Sequence, residues 1–264
     1  MIYDFVFVVL VYRNTKDLED FFCSLSVSNS KVIVVNSFYD DQTEHEFKSI
    51  ALKNNAVFIS VPNKGYGFGN NTGCRYALDN FKFEYLVISN ADIEIGILDI
   101  KMLNKDRITA SNIINRRGKH QNPAKPYYTP IVEWLMYSSY ANRQNWGVWI
   151  CCAYNKILRS IFYLSNFIFG ARRIYEAHGS FLIIPSHILE RLNPLFNEEM
   201  FLFAEEDHLA RLARSNGFAM EYNRNILVHH KEDGSMGFLN EKQMDITRKS
   251  YLTYYEYWKK NKNR

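Results

Sequence analysis

A carboxylate at the end of a buried strand is the first feature of this sequence that could do chemistry. The apolar run of residues 85–89 predicts such a strand, and Asn90, Ala91 and Asp92 follow it. Open α/β sheets bind ligands at the carboxyl ends of their strands, where Asp92 would surface. With Asn90 and Glu94 it offers the hard oxygen ligands that Mg²⁺ or Mn²⁺ prefers when the ion also holds a diphosphate. An ordinary turn is the alternative.

A pair of histidines stands at the end of a later strand. His229 and His230 follow the short apolar run 226–228. A single histidine is usually structural, but two at a strand end, in a chain that also has a candidate metal carboxylate, are candidate ligands. We therefore expect a divalent cation on Asp92, aided by His230 or His229.

Three consecutive acids open a predicted amphipathic helix. Glu205, Glu206 and Asp207 precede the apolar face that begins at Leu209, and Gly217 is placed to end the helix. The acids could simply complement the helix dipole, or they could present a general base.

A glycine-rich stretch lies between a predicted third strand, 57–61, and a helix predicted over 72–81. Residues 63–73 contain four glycines and several asparagines, which would let the backbone approach a ligand and offer donors and acceptors to it. The spacing matches neither the dinucleotide fingerprint nor the phosphate loop that ends in Gly-Lys-Ser/Thr. A plain surface loop is the alternative.

Strands alternate with helices through the first ~95 residues. This order predicts a mostly parallel α/β sheet with helices on its faces and right-handed crossovers. The predicted strands are 5–11, 31–35, 57–61, 85–89, 178–184 and 226–228, and the predicted helices include 44–54, 72–81 and 186–192.

Residues 105–173 interrupt the α/β pattern with an aromatic and basic segment. Its aromatic residues, from Trp134 onward, are interrupted by lysine and arginine, so it cannot span a bilayer. It could lie on an anionic membrane surface, form a buried helical insertion, or make a dimer surface. The tail 241–264 is a second aromatic and basic helix, which could dock on the domain or contact acidic lipid headgroups.

Composition narrows the class of protein. The 264 residues can bury a substantial core, and the formal charge of +4 does not by itself favour nucleic acid as a partner. The 16% aromatic content favours a sugar-like or apolar partner. The four cysteines show no metal or disulfide spacing, and the start lacks the pattern of a signal peptide, so we expect a cytoplasmic protein.

Taken in order, these motifs resemble those of the family 2 glycosyltransferases of the GT-A fold, and particularly the rhamnosyltransferase-like branch that builds bacterial surface polysaccharides. Asn90-Ala-Asp92 stands where that family has Asn-Pro-Asp, its version of the Asp-x-Asp motif. The resemblance covers most of the chain outside 105–177 and the last ~20 residues. The other matching segments are 11–13, 36–43, 63–73, 179–183, 201–209 and 230–235.

The resemblance implies a reaction and a division of the chain. An inverting transferase would move a sugar from dTDP-rhamnose or a UDP-hexose to a hydroxyl of a lipid-linked glycan, in O-antigen, capsule or similar synthesis. Residues 1–104 would bind the nucleotide sugar, 105–177 would be a helical insertion, 178–240 would hold the acceptor and catalytic half, and 241–264 would be a C-terminal helix.

Each candidate residue takes a role from the resemblance. Glu206 would be the base, with Glu205 and Asp207 as alternatives, although the family has aspartate at 206. The nucleotide would contact Tyr12, Asn36 and Asp41, although the family has aspartate at 36; the diphosphate and donor sugar would contact Gly65, Asn70, Asn71 and Asn90.

Two rival functions remain at this stage. A sugar-nucleotide pyrophosphorylase has a related core but carries a glycine-rich loop after its first strand, whereas residues 12–15 contain no glycine. A degenerate transferase that acts as a scaffold or glycan-binding subunit is the non-enzymatic alternative, because Asn36 and Glu206 depart from the family pattern.

Overall fold

The computed structural model describes residues 1–165, 171–231 and 241–261. Its strands are β1 (Tyr3–Val11), β2 (Ser30–Ser37), β3 (Val57–Val61), β4 (Phe83–Asn90), β5 (Ile93–Ile97), β6 (Arg107–Asn115), β7 (Ala171–Ile174), β8 (Phe181–Pro185) and β9 (Ala219–His230). Its helices are α1 (Thr15–Ser24), α2 (Asp41–Lys53), α3 (Tyr66–Asn80), α4 (Pro130–Ala141), α5 (Asn145–Ser165), α6 (Ser186–Leu192), α7 (Glu205–Ser215) and α8 (Glu241–Lys260).

The first four strands form the parallel part of the sheet. Their order is β3-β2-β1-β4, and every pair among these neighbours is parallel. Both faces of β1 are buried because helices cover the sheet on each side, which explains its unbroken apolar sequence. This half confirms the predicted alternation of strands and helices.

The second half continues the same sheet with mixed directions. Next to β4 come β8, β6, β9 and β5, and β7 pairs with β9. β8 is antiparallel to both of its neighbours, whereas β6 and β9 are parallel. The α/β class with flanking helices is confirmed, and its parallel character belongs chiefly to the first half.

Part of the predicted helical insertion belongs to the sheet. Within 105–177, β6 lies between β8 and β9, and its side chains Ile108, Ala110 and Ile113 are buried. In the part of this segment that the structure describes, α4 and α5 are the α-helices. The aromatic content of the later part of this segment concealed a strand whose apolar residues alternate with polar ones.

The glycine-rich stretch is largely helical, which corrects the prediction of a loop over 63–73. α3 begins at Tyr66, so three of the four glycines lie inside it. A Cβ at Gly73 would overlap Val8 Cγ1, and one at Gly69 would overlap Leu10 Cδ1. These glycines let the helix pack closely on β1, and packing rather than ligand approach explains them.

The C-terminal helix docks on the domain through its aromatic residues. Tyr251, Tyr254 and Trp258 of α8 are buried in a cluster with Met200 and Ala204. Docking of the tail on the domain is therefore observed for these side chains, which protein already covers, and contact of the tail with acidic lipid headgroups stays a prediction. Among the described residues, no helix is both long and apolar enough to cross a membrane.

Candidate active site

A cleft of about 620 Å³ opens at the carboxyl ends of the central strands. Leu10 and Tyr12 come from the end of β1, Asn90 and Asp92 follow β4, and His230 ends β9. The first turn of α7 closes another side. Strand direction places these distant residues together, because β1 and β4 are parallel and end at the same edge. The remaining lining residues are Asn14, Asp17, Tyr66, Ala91, Gln121, His178, Gly179, Ser180, Leu202, Phe203, Glu205, Glu206 and Gln243.

Asp92 and His230 meet in this cleft. His230 Nε2 lies 3.2 Å from Asp92 Oδ2, and its other ring nitrogen, Nδ1, lies 2.7 Å from Gln121 Oε1. The backbone is also tied, since the Lys231 N–H donates to the Asp92 carbonyl at 3.0 Å. Because the partner of Nδ1 fixes the ring orientation, Nε2 is directed at the carboxylate.

A divalent cation fits this donor set when it also holds a diphosphate. The Asp92 carboxylate is a hard ligand and the His230 imidazole is a borderline one. Mg²⁺ typically binds one or two protein carboxylates together with substrate phosphates and water. No group of three or more His, Cys, Asp or Glu side chains suited to a metal occurs in the described part of the chain. At a site of this kind, substrate phosphates and water supply the remaining ligands.

His229 and Glu94 do not reach the cleft. They lie opposite each other in the antiparallel pairing of β5 with β9, and His229 is exposed. The alternation of side chains along β9 sends His229 away from the face that carries His230. Glu94 instead lies 3.4 Å from Lys231 Nζ. Of the two predicted histidine ligands, only His230 is placed beside Asp92.

The three acids of α7 have three different surroundings. Glu206 is half-buried and lines the cleft, and its Oε1 accepts a hydrogen bond of 3.2 Å from the Gly179 N–H. Glu205 also lines the cleft, but it is only 2% exposed. Asp207 forms an ion pair with Lys125 and lines a different cavity, so it is not placed to act in this cleft.

Burial sets the protonation of the two glutamates. Loss of hydration raises the pKa of Glu206 above its ordinary value. Burial, followed by the charge of Glu206, raises the pKa of Glu205 well above its ordinary value. One carboxyl oxygen of Glu205 is buried without a hydrogen-bond partner among the described residues, as suits a protonated group. Of the three acids, Glu206 is the one that is both accessible from the cleft and has a raised pKa.

A segment that sequence reasoning did not assign to the site supports Glu206. A Cβ at Gly179 would lie 2.8 Å from Glu206 Oε1, so a side chain at this position would displace the Glu206 carboxyl from where it now lies. The hydroxyl of Tyr66 donates to the Gly179 carbonyl at 2.7 Å. Burial, followed by the charges of His230 and Arg159, lowers the pKa of His178 to about 4, which keeps that ring neutral. The Gly-Ser-Phe match at 179–181 was the sequence signal for this segment.

Of the predicted nucleotide contacts, only Tyr12 lines the cleft. Its ring packs edge-on against Tyr39 at 5.6 Å, and the Arg13 guanidinium lies 4.9 Å and 4.3 Å from the two ring centres. Asn36 is fully buried and donates to Ser60, and Asp41 is exposed at the start of α2. Neither lines the cleft. Arg13, which sequence reasoning passed over, does not line the cleft either, but its guanidinium lies against the ring of Tyr12, which does.

The predicted diphosphate contacts divide in the same way. Asn90 lines the cleft, whereas Gly65 packs against the backbone of Phe201. Asn70 is buried and donates to the Tyr66 carbonyl. Asn71 is also buried, and its amide exchanges hydrogen bonds of 2.9 and 3.2 Å with the backbone of Phe196. The two asparagines therefore support the structure around α3.

The sequence of this chain is similar to that of a known glycosyltransferase. The low-salt glycan biosynthesis hexosyltransferase Agl10 of Haloferax volcanii is 25% identical over 221 residues, which cover 81% of this chain and 62% of that protein. No protein-family model matches the chain. The chain thus spans less than two thirds of the curated relative.

Solved glycosyltransferase structures share the fold. GalNAc-T7 with UDP, GalNAc and Mn²⁺ superposes with a TM-score of 0.58 at 13% identity, over 87% of this chain and 44% of that one. The mannosyltransferase PcManGT from Pyrobaculum calidifontis with GDP-Man and Mn²⁺ gives 0.54 at 14%, over 90% and 60%. TarS of S. aureus gives 0.54 at 14%, over 86% and 36%. The predicted GT-A fold is confirmed; membership of family 2 and the rhamnosyltransferase-like branch stay predictions.

Proposed function

We propose that this chain is a nucleotide-sugar-dependent glycosyltransferase that inverts the anomeric centre of the sugar it transfers. The observation that carries the proposal is that Asp92 and Glu206, which are far apart in the sequence, line one cleft at the carboxyl ends of the strands. A volume of about 620 Å³ falls in the range of small-molecule sites. The hexosyltransferase relative and the shared fold support the same activity.

Asp92 and His230 would hold a divalent cation, Mn²⁺ or Mg²⁺. When bound, the ion supplies positive charge beside a departing diphosphate. The two side chains are positioned for this by the backbone bond between Lys231 and Asp92 and by the contact of His230 with Gln121. Hydrogen bonds to other parts of the domain therefore hold both side chains in place.

Glu206 would act as the general base. The acceptor hydroxyl gives its proton to the Glu206 carboxylate as its oxygen forms a bond to the anomeric carbon. The bond from that carbon to the diphosphate oxygen breaks on the opposite face, and the nucleoside diphosphate leaves. A raised pKa makes Glu206 a stronger base than an exposed glutamate, and the Gly179 N–H fixes one carboxyl oxygen.

The donor would lie between Tyr12 and Asn90. Both line the cleft, and the Arg13 guanidinium beside the Tyr12 ring offers positive charge and a planar face to a nucleotide. A dTDP-rhamnose or UDP-hexose donor and a lipid-linked glycan acceptor follow from the motif resemblance described above. Asn36 and Asp41 do not line the cleft, so nothing in its geometry supports their predicted contact with the base.

Donor hydrolysis and transfer test this function. Purified protein is incubated with a panel of sugar nucleotides and Mn²⁺, and nucleoside diphosphate release is measured. Glu206→Gln should lower turnover by about 10²–10⁴-fold, and Asp92→Asn should lower it while weakening the dependence on Mn²⁺. Glu199→Gln and Asp106→Asn, at exposed positions outside the cleft, are the matched controls and should leave turnover unchanged.

The opposing results are equally specific. Full activity of Glu206→Gln would exclude Glu206 as the base. Donor binding in a thermal-shift assay without turnover of any panel member, with or without acceptor, would favour a glycan-binding or scaffold protein instead.

A further inference from the structure

Helix α5 carries an exposed apolar stripe along its whole length. Trp149 is 74% exposed, Ile157 is 59% exposed and Leu164 is 82% exposed. The remaining members of this surface, which we call the α5 stripe, are Trp146, Ile150, Tyr154 and Ile161. Monomeric proteins rarely expose a continuous apolar surface of this kind without a partner.

The stripe follows the helical period. Its members are spaced by one, three or four residues, so they fall on one side of α5. The buried residues Cys151 and Phe162 fall on the other side, toward the domain. At 1.5 Å per residue the 21-residue helix is about 30 Å long. The α5 stripe therefore forms an apolar band along one side of the helix.

The charged residues of the segment that contains the stripe all have the same sign. From Trp134 to Tyr175 the sequence contains no Asp or Glu, and it contains five cations. Three of these, Arg143, Lys156 and Arg173, are exposed. Cations next to an apolar helix face are the features that bind an amphipathic helix to anionic lipid, and carboxylates, which would repel the phosphate groups, do not occur in this segment.

We propose that the α5 stripe lies flat on an anionic phospholipid membrane, with its apolar side chains in the interfacial region and the cations at the headgroups. This goes beyond the proposed glycosyl transfer, because binding would not need a donor, a cation or a competent base. Two tryptophans in the stripe support it, since their amphipathic rings favour the headgroup region.

The membrane-binding helix is tied to the wall of the cleft. Arg159 of α5 donates to the carbonyls of His120 and Gln121 at 2.7 and 3.1 Å. The side chain of Gln121 in turn contacts His230. Asn155 donates to the Ala124 carbonyl at 2.9 Å. A helix resting on a bilayer would thus hold one wall of the cleft near that surface, where a membrane-anchored acceptor could reach it.

Vesicle sedimentation tests the proposal. Wild-type protein is mixed with vesicles of phosphatidylcholine alone or with about one third phosphatidylglycerol. It should partition to the anionic vesicles and be released by salt. Ile157→Glu with Ile161→Glu should reduce partitioning about tenfold or more, because the charges replace two membrane-facing side chains. Leu52→Glu, which changes an equally exposed residue of α2, is the control and should bind as wild type does.

Further measurements separate this proposal from its alternatives. The stripe variants should keep the wild-type melting temperature and donor hydrolysis, and Glu206→Gln should still bind vesicles, so failure of catalysis and failure of membrane binding are separable. Equal binding to neutral and anionic vesicles, or unchanged binding by the double variant, would overturn the proposal. A wild-type dimer that the double variant converts to monomer, without vesicle binding, would assign the stripe to a second copy of the chain and overturn it as well.

Discussion

Replacing Gly73 by alanine separates the packing role of the glycine-rich segment from a ligand-binding role. An alanine Cβ there would overlap Val8 Cγ1 and would lie 3.0 Å from Val35 Cγ2 and 3.1 Å from Val8 Cγ2. Both valines lie in the parallel part of the sheet and are fully buried. β-branched side chains have restricted χ1 angles, so they cannot rotate away easily.

The size of the effect follows from two opposing terms. Overpacking a core costs about 1–3 kcal/mol, and one overlapping carbon, together with two more in tight contact at 3.0 and 3.1 Å, places Gly73→Ala near the upper end. Alanine is better than glycine inside a helix by about 1 kcal/mol. The net loss in the free energy of unfolding should therefore be about 2 kcal/mol, which lowers the melting temperature by about 4–8 °C.

Chemical denaturation with a double-mutant cycle measures this loss. Val8→Ala alone should destabilise by about 2–3 kcal/mol, because it removes buried methyl groups. In the double variant the new methyl group occupies part of the space that Val8 vacates. Its destabilisation should therefore be smaller than the sum of the single variants by about 1–2 kcal/mol. Asp79→Ala, at an exposed position of the same helix, controls for helix propensity.

Ligand binding provides the contrary test. Gly73 does not line the cleft, so the KM for the sugar nucleotide should change by less than about twofold in Gly73→Ala. Unchanged stability with a large rise in KM would refute the packing argument and restore the interpretation of this segment as a diphosphate loop. Simple additivity in the cycle would also refute it.

Three further predictions concern buried ionisable side chains. Burial lowers the pKa of His208 from its ordinary 6.5 to about 4. As pH falls, His208 therefore takes up a proton in the unfolded chain before it does so in the folded protein. The free energy of unfolding should drop by about 3 kcal/mol between pH 6.5 and 4. His208→Phe should remove most of that loss in urea titrations at several pH values. The pKa of Glu205 is raised, so its burial lowers stability as pH rises above the ordinary glutamate range; Glu205→Gln should be relatively more stable than wild type at pH 8 than at pH 4, and an identical pH profile would contradict this. Lys125→Met leaves Glu176 and Asp207 without the cation they share, so it should lower the free energy of unfolding, measured by chemical denaturation, by about 3 kcal/mol. A negligible loss would show that solvent screens these charges.

Much of the architecture could be predicted from local sequence. The run from Phe5 to Val11 is apolar on both faces, which only a central parallel strand with covered faces accommodates. The bounds of β3 and α6 agree with the prediction, because β-branched runs and short amphipathic runs are bounded by clear turn residues. The missed strand β6 shows the limit, since its pairing with β8 and β9 depends on residues far away in the chain.

The candidate site shows the same division. The sequence by itself determined which chemistry was available: a carboxylate at Asp92 after a buried strand, a histidine at a later strand end, and acids at the start of a helix. Only the tertiary structure decided that His230 rather than His229 meets Asp92, and that Glu206 rather than Asp207 faces the cleft. The physical reason is that strand register and helix rotation set the direction of each side chain, and both are fixed by packing against elements distant in sequence.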